Sequence, residues 1–216
     1  SVFAMLLNNV NDFKDQELKD IVKSILLERR EKLEIYPAAY RLHHAIVGGL
    51  MLHTASIVEM AEKTCQVYPN IDRELLLSGA ILHDVAKTFE METDKTGLCT
   101  GYTVSGELIG HLVKGAMMVD EAAKKLGITS EKVILLEHMI ISHHELPEYG
   151  AAVRPKFLEA EILATLDALD ATIFEINAAT SKVEPGNFTD RQWALDSRKL
   201  YNHGLSSTEH TVNLGE

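Results

Sequence analysis

The stretch "GAILHDVAKT", residues 79–88, sets the problem. Ile81, Leu82, Val85 and Ala86 read as one buried helix, yet His83, Asp84 and Lys87 stand in its middle. Polar groups in apolar surroundings are expensive unless something compensates them. A neighbouring His and Asp can offer an imidazole nitrogen and a carboxylate oxygen to one cation, a donor set suited to Mn, Fe, Co, Ni or Zn. One cation needs more than two ligands, so the rest of the chain must supply them.

Eight of the ten histidines fall between residues 43 and 144, which concentrates the candidates in one region. His53 in "GLMLHTA", His111 in "ELIGHLV", and His138, His143 and His144 in "LEHMIISHHE" each lie in an apolar context. So do Asp167 and Asp170 in "LATLDALDA". Taken singly, each has a bland reading. A lone histidine on an apolar helix is more often a hydrogen-bonded core residue than a ligand. Asp167 and Asp170 share a helix face and could edge solvent. His143 and His144 suit a helix C-terminus, where partly positive rings meet the dipole. The joint order H…HD…H…HH…D is much harder to dismiss, and helical bundles build metal sites by pointing such residues inward from several helices.

The surrounding periodicity is helical. Apolar spacing predicts helices over residues 12–32, 38–65, 72–88, 105–126, 129–144, 156–179 and 188–202, about seven in all. Asp72 is placed to cap the third and Gly127 to close the fourth. "METDKTGLCTGYTVSG", residues 91–106, reads as a loop. Strand patterns are nearly absent, so the fold class is all-α. Residues 1–37 form an N-terminal helical segment packed on the core, 38–180 the metal-bearing core, and 181–216 a C-terminal helix and polar tail.

Composition narrows the class. Hydrophobic residues make up 46%, enough for a sizeable core. The apolar runs are short and broken by charge, so no membrane-spanning helix is expected. The opening "SVFAMLLNNVNDFKDQ" lacks a basic lead and a cleavage site, so it does not read as a signal peptide. Cys65 and Cys99 have no CxxC spacing and read as reduced thiols of a cytoplasmic protein. A net charge of -11 argues against wrapping duplex DNA, which needs a basic footprint. It leaves room for an acidic pocket filled by cations.

The motifs "HHAIVGGLMLHT", "LHDVAKTFE", "GYTVSGELIGHL", "ISHHELPEYGAAVRPKFLEAEIL" and "LDALDA" resemble the HD superfamily of metal-dependent phosphohydrolases. They look closest to the HD domain of bacterial 3′–5′ exoribonucleases. The resemblance covers residues 38–171. It implies that His53, His83, Asp84 and Asp167 hold one divalent transition metal. It implies a second metal at His111 and His143, with Asp84 bridging and His138 or His144 completing the set. Lys87 matches a lysine that related phosphodiesterases place by the scissile phosphate. Those exoribonucleases also carry an N-terminal OB-fold that grips single strands, whereas residues 1–37 here read as helix.

The function implied is cleavage of a phosphoester of a nucleotide or short RNA 3′ end by metal-activated water. Asp84 and Lys87 are the catalytic candidates. His43, His44, Arg154 and Lys156 are candidates for substrate binding, the last two forming the compact basic cluster of "AAVRPKF". The expected partner is a nucleotide or short single strand, with no duplex DNA and no membrane; a homo-oligomer is allowed. Two other classes share the pattern: a di-iron oxygenase on the same fold, and a non-catalytic binding module whose metals hold the fold.

Overall fold

A computed structural model describes residues 1–36, 49–96, 99–144 and 150–215 of the chain. It divides into two compact units, Ser1–Asp167 and Ala168–Glu216. The first is a helical bundle of α1 (Val2–Asn11), α2 (Gln16–Glu28), α3 (Arg30–Ile35), α4 (Gly49–Val67), α5 (Arg73–Leu82), α6 (Val104–Leu108), α7 (Gly110–Leu126) and α8 (Lys132–Ser142). The boundary between the units falls within α9 (Leu158–Thr180). Nine α-helices among the described residues replace the seven expected, and the all-α class holds.

Helix α5 is the axis of the first unit. Its residues from Leu75 to Leu82 are all buried, so it is apolar all round, as a central helix must be. It packs against α2, α4 and α8, and α7 packs against α8 and α2. Its start is set by Asp72, whose carboxylate accepts from the Leu75 amide at 3.0 Å. Asp15 does the same for α2, accepting from Leu18 at 3.1 Å. Helix α1 buries Phe3, Leu6 and Val10.

The helix expected over 72–88 stops at Leu82. The chain tightens into a 3₁₀ turn over Val85–Phe89, and Asp84 leaves helical geometry at φ -113, ψ 5. This turn is clamped from the N-terminal side. Arg29 donates to the Thr88 hydroxyl at 3.0 Å and to its carbonyl at 3.1 Å, with its guanidinium 3.6 Å over the Phe89 ring. The buried Tyr36 hydroxyl bonds both the carbonyl and the amide of Met91.

Three further elements differ, and one expectation reaches beyond the described residues. The helix expected over 12–32 divides at Arg29, which sits at φ -103, ψ 10 to make that clamp. The helix expected over 38–65 runs as α4, and residues 38–48 lie outside the described residues. The loop 91–106 contains a two-stranded antiparallel hairpin, β1 (Met91–Thr93) and β2 (Cys99–Tyr102), with Met91 opposite Tyr102. Strands this short show no readable alternation. The helix expected over 105–126 breaks into α6 and α7 at Gly110, whose φ of 78 a side chain would strain.

In the second unit, the helix expected over 188–202 is absent. Only a 3₁₀ turn at Trp193–Leu195 forms, between isolated bridges pairing Phe188 with Tyr201 and Gln192 with Arg198. Asp196 and Ser197 sit at φ 57 and 56, in the left-handed region. The Thr189 hydroxyl exchanges bonds with neighbouring backbone, as Thr, Asn and Asp do when they compete with helix. Phe188 and Trp193, which supplied the apolar spacing, are exposed. No helix among the described residues is long and apolar enough to cross a membrane.

Candidate metal centre

Asp84 sits where α5 gives way to the 3₁₀ turn, and its two carboxylate oxygens face two different groups. Oδ2 lies 3.3 Å from His83 Nε2 and 3.5 Å from His53 Nε2. Asp167 Oδ1 lies 3.4 Å from His83 Nε2 and 2.9 Å from His53 Nε2. Oδ1 of Asp84 lies 3.5 Å from both His111 Nε2 and His143 Nε2. His144 packs edge-on beside them, its ring centroid 4.5 Å from that of His143 and 5.4 Å from that of His111.

Two groups of donor atoms result, each within 4.8 Å of one another: His53, His83, Asp84 and Asp167, and separately His111, His143 and His144. Most of the His–Asp separations, at 3.3 to 3.5 Å, exceed good hydrogen bonds. They match the edge of a tetrahedron of N and O ligands each about 2.1 Å from a common cation, which is about 3.4 Å.

The rings are held ready for such a role. His83 Nδ1 donates to the Ala80 carbonyl at 2.6 Å, and His143 Nδ1 to the Ile140 carbonyl at 2.6 Å. A carbonyl only accepts, so the proton is on Nδ1 and the Nε2 of a neutral ring is a bare lone pair. Both rings follow helix C-termini, where last-turn carbonyls lack intrahelical partners. His111 Nδ1 is held at 2.8 Å by Glu90 Oε2 instead. The Nε2 atoms of His83, His111 and His143 and Oδ1 of Asp84 are buried and make no hydrogen bond among the described residues. Buried polar atoms of a native fold are normally satisfied, and an ion is one explanation for such exceptions. These residues therefore fit a metal, and both groups could hold one.

The electrostatics follow. Burial pushes the Asp84 carboxyl up, but His83 and Lys87 hold it well below the usual carboxylate range. Burial is likewise overcome at Asp167 by its hydrogen bond with His53 and by the His83 ring 3.4 Å away. At His83 burial favours the neutral ring, yet the two carboxylates raise the pKa to about 10, so a proton takes a cation's place in the metal-free site. His143 is pushed down to about 4 by burial, with Asp84 too weak an opponent. Lys87 Nζ lies 3.4 Å from Asp84 Oδ2. Burial there is outweighed by Asp84, Asp167 and Glu90, which raise its pKa and keep it charged.

Not every expected residue arrives. His138 stands apart from both groups. Its Nε2 accepts from the Lys156 amide at 3.0 Å and its ring packs on Phe157 at 5.1 Å. Five residues before His143 on one helix, it faces about 140° away. Asp170 is in neither group. Arg154 and Lys156 are exposed, on the segment before α9. His43 and His44 lie outside the described residues. Glu90 was missed. The available signal was that a ligand histidine needs an orienting partner on its second nitrogen, and "HDVAKTFE" ends on a carboxylate.

A protein-family model described as the HD domain matches residues 50–172. Proteins named 3′-5′ exoribonuclease YhaM are similar over most of the chain. That of Bacillus licheniformis is 38% identical over 190 residues, covering 88% of this chain and 60% of the relative. That of Geobacillus sp. is 37% identical over 194 residues, 90% of this chain and 59% of the relative. That of Listeria innocua is 36% identical over 191 residues, 88% and 60%. The chain thus spans about three-fifths of the length of these relatives. No solved structure matches it.

Proposed function

The chain belongs to the HD-domain family, and from that premise we propose that it is a metal-dependent phosphohydrolase trimming short RNA 3′ ends in the cytoplasm. In this reading His53, His83, Asp84 and Asp167 hold one divalent transition ion. Asp84, His111, His143 and His144 hold a second. The observation that carries the reading is the two-sidedness of Asp84, whose Oδ2 faces His53 and His83 while Oδ1 faces His111 and His143. The relatives' names favour RNA 3′ ends as substrate over oxygen chemistry or a non-catalytic module.

Bound there, divalent cations supply an acidified water and neutralise charge on a phosphoryl oxygen. The protein's own groups do the rest. The Ala80 and Ile140 carbonyls and Glu90 fix the three ring orientations, so the donors need no rearrangement when the site fills. Asp84 would set one buried negative charge between the two donor groups. Lys87, charged beside Asp84, meets a phosphate oxygen that approaches the centre. Arg154 and Lys156 receive the flanking phosphate, and His43 and His44 are assigned to substrate positioning.

The two aspartates of "LDALDA" give one check. Asp167→Ala is expected to lower turnover and metal affinity by more than about 100-fold, above the range of an outer-sphere partner. Asp170→Ala, at a buried position outside both donor groups, is expected to change metal affinity by less than about fivefold, any cost falling on stability instead. Equal losses in steady-state kinetics and metal titration would reverse the assignment.

The substrate is tested with 5′-labelled RNAs of graded length and Mn2+. The acidic surface offers a long strand little beyond the pocket itself. Short oligonucleotides and chromogenic phosphodiesters are expected to be cleaved, and long RNA slowly. Rapid stepwise shortening of a long RNA would overturn the length restriction. Inertness toward every phosphodiester with Mn, Fe, Co, Ni or Zn would overturn the function.

A further inference from the structure

Glu90 does for His111 what backbone carbonyls do for the other two rings. One oxygen, Oε2, accepts from the His111 ring at 2.8 Å and from the His111 backbone amide at 2.9 Å. Through the second bond it also satisfies one of the otherwise unpaired amides in the first turn of α7. Glu90 is itself fixed from three sides. Its carbonyl accepts from the Thr103 amide at 2.9 Å, and its own amide donates to Lys87 at 2.9 Å. Gly106 lies so close that a Cβ there would meet the Glu90 carbonyl oxygen at 2.1 Å. The carboxylate therefore projects from a braced backbone toward one ring.

The contrast with the other rings matters. His83 and His143 are oriented by carbonyls of their own helices, three residues earlier. Those contacts form with the helix and cannot be lost separately from it. Among the described residues the His111 ring has no such local partner; its orientation comes from a side chain 21 residues away. Rotation of the ring, or a proton on Nε2 in place of Nδ1, would take its lone pair away from Asp84 Oδ1. Only the second donor group would feel that change.

We propose that Glu90 is a positioning residue that sets the tautomer and angle of His111 and thereby controls the second cation site independently of the first. The proposal rests on the two-cation reading above and deepens it. Glu90 does not touch the reacting atoms. Its effect passes through one imidazole.

The test has a metal-free arm and a metal arm, on the full chain. Long-range 1H–15N spectra of 15N-histidine protein without metal are expected to show His111 protonated on Nδ1. In Glu90→Ala the ring is expected to become a mixture of tautomers. Glu90→Gln keeps an acceptor oxygen and is expected to retain the wild-type tautomer. Titration with Mn2+ is then expected to show two ions in wild type. In Glu90→Ala the weaker ion should lose about 10- to 100-fold in affinity, the range of an outer-sphere partner, with the tighter ion unchanged. Glu90→Gln should lose less than Glu90→Ala. An Nε2-protonated His111 in wild type, or an unchanged tautomer in Glu90→Ala, would overturn the proposal. So would equal weakening of both ions, which would make Glu90 a general structural contact. A wild-type chain that binds fewer than two Mn2+ while Glu90→Ala still shifts the tautomer counts against the two-cation reading and leaves the positioning role standing.

Discussion

Asp84→Asn is expected to reduce phosphodiester cleavage by more than about a thousandfold, beyond the 10²–10³ of a single electrostatic contact. The side chain barely changes in volume, so the helices should remain folded by circular dichroism. What changes is charge. Both oxygens of Asp84 face imidazole nitrogens. An amide offers one oxygen and one NH2, which cannot serve as a ligand. Bound metal should fall from two ions to at most one. Near-normal turnover with normal metal content, read by elemental analysis, would remove Asp84 from the centre.

The second large effect is the pH dependence of metal uptake. His83 must be neutral to offer Nε2, yet in the metal-free site its pKa is raised to about 10 by the adjacent carboxylates. Proton and cation compete for one lone pair, and raising the pH removes the competitor. Affinity for the first ion should rise about tenfold per pH unit from pH 6 to 8.5. An ordinary histidine would flatten this slope above its own pKa of about 6.5. A flat profile above pH 7 in anaerobic Mn2+ titrations would show that His83 carries no such proton.

Stability without metal follows the same linkage. His83, raised on folding, contributes stability that is full below about pH 6.5 and is lost as pH rises toward its folded value. His143, lowered to about 4, acts in the opposite sense: the unfolded chain takes up its proton first, so stability falls as pH drops from about 6.5 toward 4. The depressed Asp84 and Asp167 add to the acid loss, since their contribution is present above about pH 4 and disappears below it. The metal-free chain is therefore expected to be most stable near pH 6.5. A cation that displaces the His83 proton should move the optimum upward.

The centre was more legible than its frame. His83 and Asp84 announce themselves because polarity inside an apolar helix has to be answered, and the answering residues recur in apolar contexts. His138 shared that context but not the helical angle; counting 100° per residue back from His143 would have set it aside. Glu90 escaped because its role is tertiary, a bond to a ring 21 positions on that no local pattern encodes. The break after Leu82 escaped for a similar reason, since the Arg29 clamp that holds the 3₁₀ turn comes from far upstream. Residues 188–202 misled in the other direction. Phe188, Trp193 and Tyr201 of their apolar spacing are left in solvent, and positive φ at Asp196 and Ser197 ends any helix.

The buried nitrogens and oxygen that lack hydrogen bonds have a consequence for the whole domain. Native sequences are largely free of such conflicts, and the exceptions gather at functional sites. Here the inconsistency lies at the middle of the bundle, where α4, α5, α7, α8 and α9 contribute ligand-type groups from His53 to Asp167. The free ion concentration then acts as a folding variable: an ion that binds only the native state adds stability logarithmically with its concentration over Kd. The supply of free metal would then set how long the chain survives proteolysis, because an ion held by donors from several helices lowers the population of the opened state.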